Sequence, residues 1–258
     1  MKLQWPGKRP NLAAISGSPA GRVMIGYPTG FSVTLPFQIS LVRMMFYELS
    51  KQPNKRNLAS ILHASGLYVG DNRQTLTKRF MAQKDADWLL QIDTDIEFPP
   101  NLIEVLLELA GSDKKIIACS VPLGLYRTCA FKHSEKPGIW EEILAFPDGV
   151  TQVDGIATAV CLVHREVFQK IAEEYGRTWW EHMYIVKNPD APKAEQETLM
   201  QGEDLAFSIR ATSVGYKIWC AFVTKLKHYK TRALSHDELG KEKVETPGTP
   251  LDPGGSAA

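Results

Sequence analysis

The chain has 258 residues, with 30 lysines and arginines against 29 aspartates and glutamates. This near-neutral balance excludes a global positive field that would draw the protein onto nucleic acid or an anionic membrane. A hydrophobic fraction of 44% and a charged fraction of 23% are typical of a folded globular protein, and they exclude the disordered, collagen-like and coiled-coil classes.

The sequence also predicts the compartment. It has no apolar run of about 18 residues that would predict a membrane span, and its first residues lack the apolar core of a signal peptide. The four cysteines include no C-x-x-C pair, which favours reduced structural thiols over a disulfide framework or a zinc site. We therefore expect a cytoplasmic protein.

Three segments differ in composition. Residues 1–21 are rich in proline, glycine, serine and basic residues and are predicted to form an N-terminal arm. Residues 237–258 have almost no bulky apolar residue, which predicts a disordered tail. The region between them, 22–236, is predicted to be one folded domain.

Strand-like and helix-like apolar patterns alternate through the first half of this domain. They predict a strand at 22–28 that Pro28 stops, a helix at 34–52, a strand at 57–65, a helix at 73–86, a strand at 87–95, a helix at 99–111 and a strand at 114–123. This alternation predicts an α/β fold with a mostly parallel central sheet flanked by helices.

The second half is less regular. It predicts a turn, a strand and a helix within 151–176, a polar insertion to about residue 200, a helix at 202–215 and a closing strand at 216–230 with a basic end.

Parallel sheets bind ligands at the carboxyl ends of their strands. This rule predicts that Pro28, the loop at 66–73 and the triplet Asp93-Thr94-Asp95 share one rim. Two carboxylates at the end of a buried strand repel each other, and a divalent cation such as Mg²⁺ or Mn²⁺ would relieve this repulsion. The alternative is a solvated pair in a strand-to-helix loop.

Two later features also carry ionisable groups. Glu203 and Asp204 begin a helix, where they either stabilise the positive helix end or supply a general base. His228 ends an apolar strand among lysines, which favours a neutral imidazole that can bind metal, although a surface histidine on a basic edge fits the same pattern.

Taken in order, these motifs resemble a known family. A D-x-D after WLLQID, then G-E-D, G-Y-K-I-W and a histidine are similar to the GT-A fold of nucleotide-sugar glycosyltransferases, especially family-2-like and phage or bacterial members. The resemblance implies a single Rossmann-like GT-A domain with hexosyltransferase-like activity, which moves a sugar from a UDP- or GDP-sugar to an acceptor hydroxyl with inversion.

The resemblance also implies roles for individual residues. Asp95 and His228 would bind Mn²⁺ or Mg²⁺, Asp93 would contact both metal and nucleotide, and Asp204 would be the base with Glu203 as its acidic neighbour. The residues expected to bind the nucleotide sugar, besides Asp93, are Pro28, Thr29, Arg73 and Gly155.

The insertion lies just before the G-E-D motif, at the position in the chain where we expect a segment that covers the acceptor. Trp179 and Trp180 are candidates for stacking on a sugar or a base, and the alternative is that they pack in the core. The basic residues Lys225, Lys227, Lys230 and Arg232 are expected either to contact phosphates or to form a solvated edge.

The acceptor itself stays open among a glycan, a lipid carrier, a protein and a modified DNA base. Two other functions remain compatible with the motifs. One is a non-catalytic module that binds a nucleotide or sugar, and the other is a metal-dependent nuclease or nucleotidyltransferase.

Overall fold

The computed structural model describes residues 21–30, 32–122, 128–136, 138–143, 149–222 and 226–229. The predicted C-terminal tail and all but the last residue of the predicted N-terminal arm lie outside these ranges. Within them, no helix combines the length and apolarity needed to cross a bilayer.

In this part of the chain the helices are α1 (Leu35–Ser50), α2 (Val69–Ala82), α3 (Leu102–Ala110), α4 (Arg165–Tyr175) and α5 (Glu203–Ser213). The strands are β1 (Val23–Thr29), β2 (Leu58–Ser65), β3 (Trp88–Ile92), β4 (Ile96–Glu97), β5 (Ile116–Cys119), β6 (Ala130–His133), β7 (Trp140–Glu142), β8 (Val150–Val153), β9 (Gly155–Ile156), β10 (Val160–His164), β11 (Met183–Val186), β12 (Thr198–Gln201), β13 (Ile218–Ala221) and β14 (Lys227–His228). Short 3₁₀ turns occupy Pro53–Lys55 and Lys193–Glu195.

The central sheet has seven strands in the order β2-β1-β3-β10-β5-β13-β8. β1 pairs in parallel with β2 and β3, and β5 pairs in parallel with β13. β10 lies antiparallel between β3 and β5, and β8 is antiparallel to β13. The prediction of an α/β domain with a mostly parallel sheet is therefore confirmed, with these two strands reversed.

Different helices cover the two faces of the sheet. α1 and α3 pack on one face through residues such as Phe37 and Leu106. α2, α4 and α5 pack on the other through Phe80, Phe168 and Phe207. β3, buried at all five positions, lies between these layers, which explains why its sequence is an almost continuous apolar run.

Three small sheets surround the central one. β14 pairs with β4, β11 pairs with β12, and β6 pairs with both β7 and β9. The β11–β12 hairpin forms part of the insertion that the sequence predicted only as polar chain. All four cysteines are buried thiols that form no disulfide.

Several predicted boundaries are wrong. β1 continues through Pro28 to Thr29, so this proline does not stop the strand. α2 begins at Val69, and the predicted loop at 66–73 therefore contains its first turn. The predicted closing strand is two strands, β13 and β14, and β14 leaves the central sheet to pair with β4.

A buried carboxylate anchors the end of α1. Glu48 is buried and accepts hydrogen bonds from the backbone nitrogens of Asn57 (2.7 Å) and Leu58 (3.2 Å), and from Lys51 Nζ (2.6 Å). The carboxylate therefore joins the end of α1 to the start of β2.

Replacing Glu48 by alanine should lower the free energy of unfolding by about 3 kcal/mol, since two backbone donors lose their charged acceptor. Urea unfolding followed by circular dichroism measures this loss. Glu173→Ala is the matched control, because Glu173 pairs with Lys170 on the exposed surface of α4, and it should leave the unfolding midpoint unchanged. Equal effects of the two variants would contradict the anchoring role.

Candidate active site

The D-x-D triplet lies at the carboxyl end of β3, and its central residue holds it in place. The Thr94 carbonyl accepts hydrogen bonds from the backbone nitrogen (3.0 Å) and the hydroxyl (2.9 Å) of Thr34, at the start of α1. The Thr94 hydroxyl donates to the carbonyl of Ser32 (3.2 Å). The backbone nitrogen of Asp93 donates to the carbonyl of Ala159 (2.8 Å). The two aspartates are thus displayed on a fixed turn.

The pairing of β14 with β4 brings His228 to the second aspartate. His228 Nε2 lies 3.0 Å from Asp95 Oδ2, although the two residues are 133 positions apart. His228 Nδ1 lies 2.9 Å from the carbonyl of Pro122, which can only accept, so Nδ1 carries a proton. Nε2 is therefore the ring nitrogen that faces Asp95.

Arg73, on α2, joins the D-x-D triplet to the G-E-D motif. Its side chain is 2% exposed, with Nη2 lying 3.0 Å from Asp93 Oδ1 and Nε lying 3.7 Å from Asp204 Oδ1. Nη1 donates to Gln91 Oε1 and to the carbonyl of Thr158, both at 3.4 Å. The guanidinium therefore holds together two carboxylates that come from distant parts of the sequence.

These charges alter each other's protonation. Burial raises the pKa of Asp93 to about 6; Arg73 opposes this rise, whereas Asp204 and Asp95 add to it. Burial lowers the pKa of Arg73, but the carboxylates of Asp93, Asp204 and Glu203 outweigh it, and its net pKa is raised. The site is an acidic cluster that one buried cation only partly neutralises.

The G-E-D carboxylates begin α5 opposite the triplet. The Thr158 hydroxyl donates a hydrogen bond to Asp204 Oδ1, the same oxygen that faces Arg73. Since these contacts fix Oδ1, Oδ2 is the oxygen left to accept a proton. Glu203 lies against the first turn of α2, because a Cβ atom built on Gly70 would lie 3.4 Å from Glu203 Cβ.

The residues around Asp95 fit a divalent cation whose shell is completed by a ligand. Among the described residues, no three histidine, cysteine, aspartate or glutamate side chains are grouped so that they alone hold a metal. Asp95 Oδ1 is nevertheless buried without a hydrogen-bond partner, beside the imidazole of His228. Mg²⁺-type sites commonly use one or two protein ligands together with substrate phosphates and water.

For the two tryptophans, the burial of their side chains favours the core-packing alternative over stacking on an acceptor. Trp179 and Trp180 are 1% and 2% exposed, so neither has a free face. Trp179 Nε1 donates to the carbonyl of Phe168 (2.7 Å), and Trp180 stacks on Phe207 with ring centroids 4.3 Å apart. They anchor the insertion to the core formed by α4 and α5.

The residues predicted to bind the nucleotide sugar are close to the rim, but their side chains point inward. Pro28 and Thr29 are buried at the end of β1, and the Thr29 hydroxyl donates to the carbonyl of Ala64 (3.0 Å). Arg73 is enclosed between carboxylates rather than exposed to a ligand. Direct contact of these residues with a nucleotide stays a prediction, and for Arg73 the structure favours an internal bridge instead.

Gly155 lies under an aromatic ring rather than in an open cleft. A Cβ atom at this position would lie 2.7 Å from Trp140 Cζ3 and 3.0 Å from Leu205 Cδ2. The predicted contact with a donor sugar is therefore not supported, and close packing explains why this position holds a glycine.

Replacing Gly155 by alanine should destabilise the protein by about 1–3 kcal/mol, because the ring of Trp140 must move to accommodate the methyl group. Thermal and urea unfolding measure this change. Gly30→Ala is the control, since a Cβ atom there meets nothing within 4 Å. If Gly155→Ala is as stable as Gly30→Ala, the ring of Trp140 moves without a loss of free energy of unfolding, which would contradict the prediction.

Replacing Arg73 by methionine should lower the free energy of unfolding of the metal-free protein by about 3–5 kcal/mol, because the partly buried carboxylates of Asp93 and Asp204 are left without their buried cation. The folded-state pKa of Asp93, about 6, already exceeds its ordinary value of 3.8, and loss of the guanidinium raises it further. The folded state then binds more protons than the unfolded state, so the variant loses stability as the pH rises through this window.

Urea unfolding in a chelating buffer at pH 5 and pH 8 tests this prediction. Arg79→Met on the same helix is the control, because Arg79 is exposed and its guanidinium donates to the carbonyl of His63. Adding Asp93→Asn to the Arg73 variant should restore part of the lost stability. A loss of stability that is independent of pH, or no rescue, would contradict the bridging role.

Two contributors to the site were missed. Gln91 is the one polar residue in the buried WLLQI strand, and that exception was an available signal. Thr158 gave no signal, because a threonine in a short apolar segment is common in strands. Among the basic residues of the C-terminal edge, Lys227 pairs with Glu97 (3.1 Å); Lys225, Lys230 and Arg232 lie outside the described residues.

Two solved structures have a similar fold. Protein A197 from STIV superimposes with a TM-score of 0.50 and 16% identity, over 81% of this chain and 86% of that one. GalNAc-T7, in a structure with UDP, GalNAc and Mn²⁺, superimposes with a TM-score of 0.53 and 11% identity, over 82% of this chain and 44% of that one.

This chain thus spans less than half the length of the GalNAc-T7 chain. The sequence matches no protein-family profile and no curated protein. The structural likeness shows a GT-A-like α/β fold.

Proposed function

We propose that this protein is a metal-dependent glycosyltransferase that transfers a sugar from a nucleotide sugar to an acceptor hydroxyl with inversion. The observation that carries the proposal is the meeting of the three motifs at one rim: His228 beside Asp95 at 3.0 Å, and Arg73 between Asp93 and Asp204. The GT-A-like fold supports it, because the carboxyl ends of the strands are where such sheets bind ligands.

The proposal gives Asp95 and His228 the role of metal ligands, with Asp93 next to the metal and the donor. Mn²⁺ or Mg²⁺ held there would supply Lewis-acid stabilisation of the charge that develops on the departing nucleoside diphosphate. Thr94 and Pro122 serve this site indirectly, since they fix the turn of the triplet and the tautomer of the imidazole.

Asp204 is proposed as the general base. Its Oδ1 is oriented by Thr158 and Arg73, which leaves Oδ2 to take the proton from the acceptor hydroxyl as that oxygen attacks the anomeric carbon. Attack from the face opposite the leaving group inverts the anomeric configuration. Glu203, one residue earlier, contributes negative charge at the helix start and forms part of the acceptor side.

The nucleotide is proposed to be UDP or GDP. The support for UDP is that the structurally similar GalNAc-T7 was solved with UDP, GalNAc and Mn²⁺. The two tryptophans that suggested an aromatic acceptor platform are buried, so they are not part of the proposed acceptor surface.

A screen of UDP- and GDP-sugars with Mn²⁺ tests the proposal. Released nucleoside diphosphate is measured with and without a chelator, and we expect slow, metal-dependent hydrolysis of one donor even without an acceptor. Calorimetry with the same donors detects binding independently of turnover.

The products separate the rival functions. A binding module would bind a donor without releasing nucleoside diphosphate under any condition. A nucleotidyltransferase would release pyrophosphate from nucleoside triphosphates, and a nuclease would cut DNA or RNA. Either set of products in place of nucleoside diphosphate release would overturn the proposal.

A further inference from the structure

α1 has exposed apolar side chains on the face that the central sheet does not cover. Its inner face is buried against the sheet through residues such as Phe37 and Met44. Its outer face carries six exposed apolar residues, which together we call the α1 stripe: Leu35, Ile39, Val42, Met45, Phe46 and Leu49. Among the described residues, no other helix presents so many.

The spacing of the α1 stripe matches that of a helix-packing seam. Leu35, Ile39, Val42, Phe46 and Leu49 are separated alternately by four and three residues. This is the repeat by which one helix packs its side chains between those of a second helix. A stripe on the outside of a helix whose other face is already in the core indicates a partner helix.

The exposed area is large enough for an interface. Leu35, Phe46 and Leu49 are 66%, 68% and 56% exposed. The α1 stripe offers on the order of 600 Å² of apolar surface, at the upper end of the largest patches of typical monomers. A standard interface buries about 800 Å² on each partner, so the stripe together with its polar rim is sufficient.

The rim of the α1 stripe favours a protein surface over a lipid surface. The exposed residues beside it on α1 include Gln38, Arg43 and Ser50, of which only Arg43 is charged. Helices that lie on anionic membranes carry several lysines and arginines along their polar face. α1 carries no such row of basic residues beside the stripe.

The stripe is also nearly symmetric about its midpoint, Val42. Leu35 and Leu49 lie seven residues to either side, with Ile39 and Phe46 between. When the stripe meets its own copy about a two-fold axis, apolar residues face apolar residues and each contact is repeated by its symmetry mate, as in an isologous interface. Val42 then approaches its own counterpart whether the two helices run parallel in register or antiparallel about the midpoint.

We propose that the α1 stripe is the interface of a homodimer, with α1 of one protomer packed against α1 of its partner and Val42 near the two-fold axis. The first turn of the helix lies beside the site. Thr34, which caps α1 beside Leu35, also holds the carbonyl of Thr94 between the two D-x-D aspartates.

Sedimentation equilibrium over a concentration series tests the proposal, with the whole chain free of donor and acceptor. The unaltered protein should sediment as a dimer, and Val42→Glu should raise its dissociation constant at least about 100-fold, because a carboxylate would be buried at the interface. Leu67→Glu is the matched control. Leu67 is 72% exposed and lies off the stripe, so this variant should remain dimeric.

Cross-linking provides a second measurement that does not depend on a destabilising charge. Val42→Cys should form a covalent dimer with a short bis-maleimide, whereas Leu67→Cys should not. The four native cysteines are buried and do not compete for the reagent. If the unaltered protein stays monomeric at concentrations up to about 100 μM, its self-association free energy is weaker than about 5.5 kcal/mol, and the proposal is overturned. A dimer that Val42→Glu does not weaken would also overturn it. Monomers that bind anionic vesicles through the stripe would also overturn it, in favour of a lipid surface.

Discussion

Replacing Asp95 by alanine should reduce metal-stimulated release of nucleoside diphosphate at least about 1,000-fold. Asp95 provides a buried oxygen without a hydrogen-bond partner and a second oxygen 3.0 Å from His228 Nε2. Alanine removes both oxygens, so only His228 and the neighbouring Asp93 would be left to hold the cation. Initial rates across a Mn²⁺ titration measure the effect.

The fold should survive this change, because removing Asp95 takes away one of the charges that raise the pKa of Asp93. Asp113→Ala is the control: Asp113 is an exposed aspartate that pairs with Lys114, and its loss should leave the rate unchanged. His228→Ala should resemble the Asp95 variant. Turnover that persists in Asp95→Ala with the same metal dependence would remove Asp95 from the metal site.

Replacing Asp204 by asparagine should lower transfer to an acceptor by about 100- to 10,000-fold, while donor binding is retained. The amide oxygen can still accept the hydrogen bond from Thr158 and so keeps the geometry of the site, but it cannot take up a proton. The distinguishing readout is the contrast between calorimetric donor affinity, which should stay near that of the unaltered protein, and the transfer rate.

Glu203→Gln is the matched control for the base, since it removes the neighbouring carboxylate of the same motif. We expect a smaller loss, through altered charge around Arg73 rather than through loss of proton transfer. If Glu203→Gln lost transfer and Asp204→Asn did not, the two residues would exchange roles. If both variants transferred sugar normally, neither carboxylate would be the base.

Most of the first half of the fold was predictable from local pattern. The helices α1 and α3 and the strands β2 and β3 lie within two or three residues of their predicted bounds, because each has an apolar period and a turn or proline at its start or end. The reversal of β10 was not predictable, since a short buried strand has the same sequence pattern in either direction.

The site was predictable in its residue types but not in its contacts. The D-x-D and G-E-D motifs and the histidine could be recognised in the sequence from their residue types and order. The bridging role of Arg73 and the hydrogen bond from Thr158 could not, because they depend on which helix packs beside which strand. The positions of the two tryptophans were also not predictable. The polar composition of the insertion suggests that its aromatic residues are exposed, and only their packing against Phe168 and Phe207 shows that they belong to the core.

The α/β class, the two carboxylates at the end of a buried strand and the acidic start of α5 were all predictable from local patterns, because each follows from a periodicity over a few residues. The contact of His228 with Asp95 and the link of Arg73 to Asp93 and Asp204 appear only in the folded chain. These contacts join residues far apart in the chain, and their free energy depends on burial and on the partner's position, which no local pattern specifies. The spacing of the α1 stripe can be read from the sequence. Its exposure depends on the tertiary structure, which determines the face of the helix that the sheet covers.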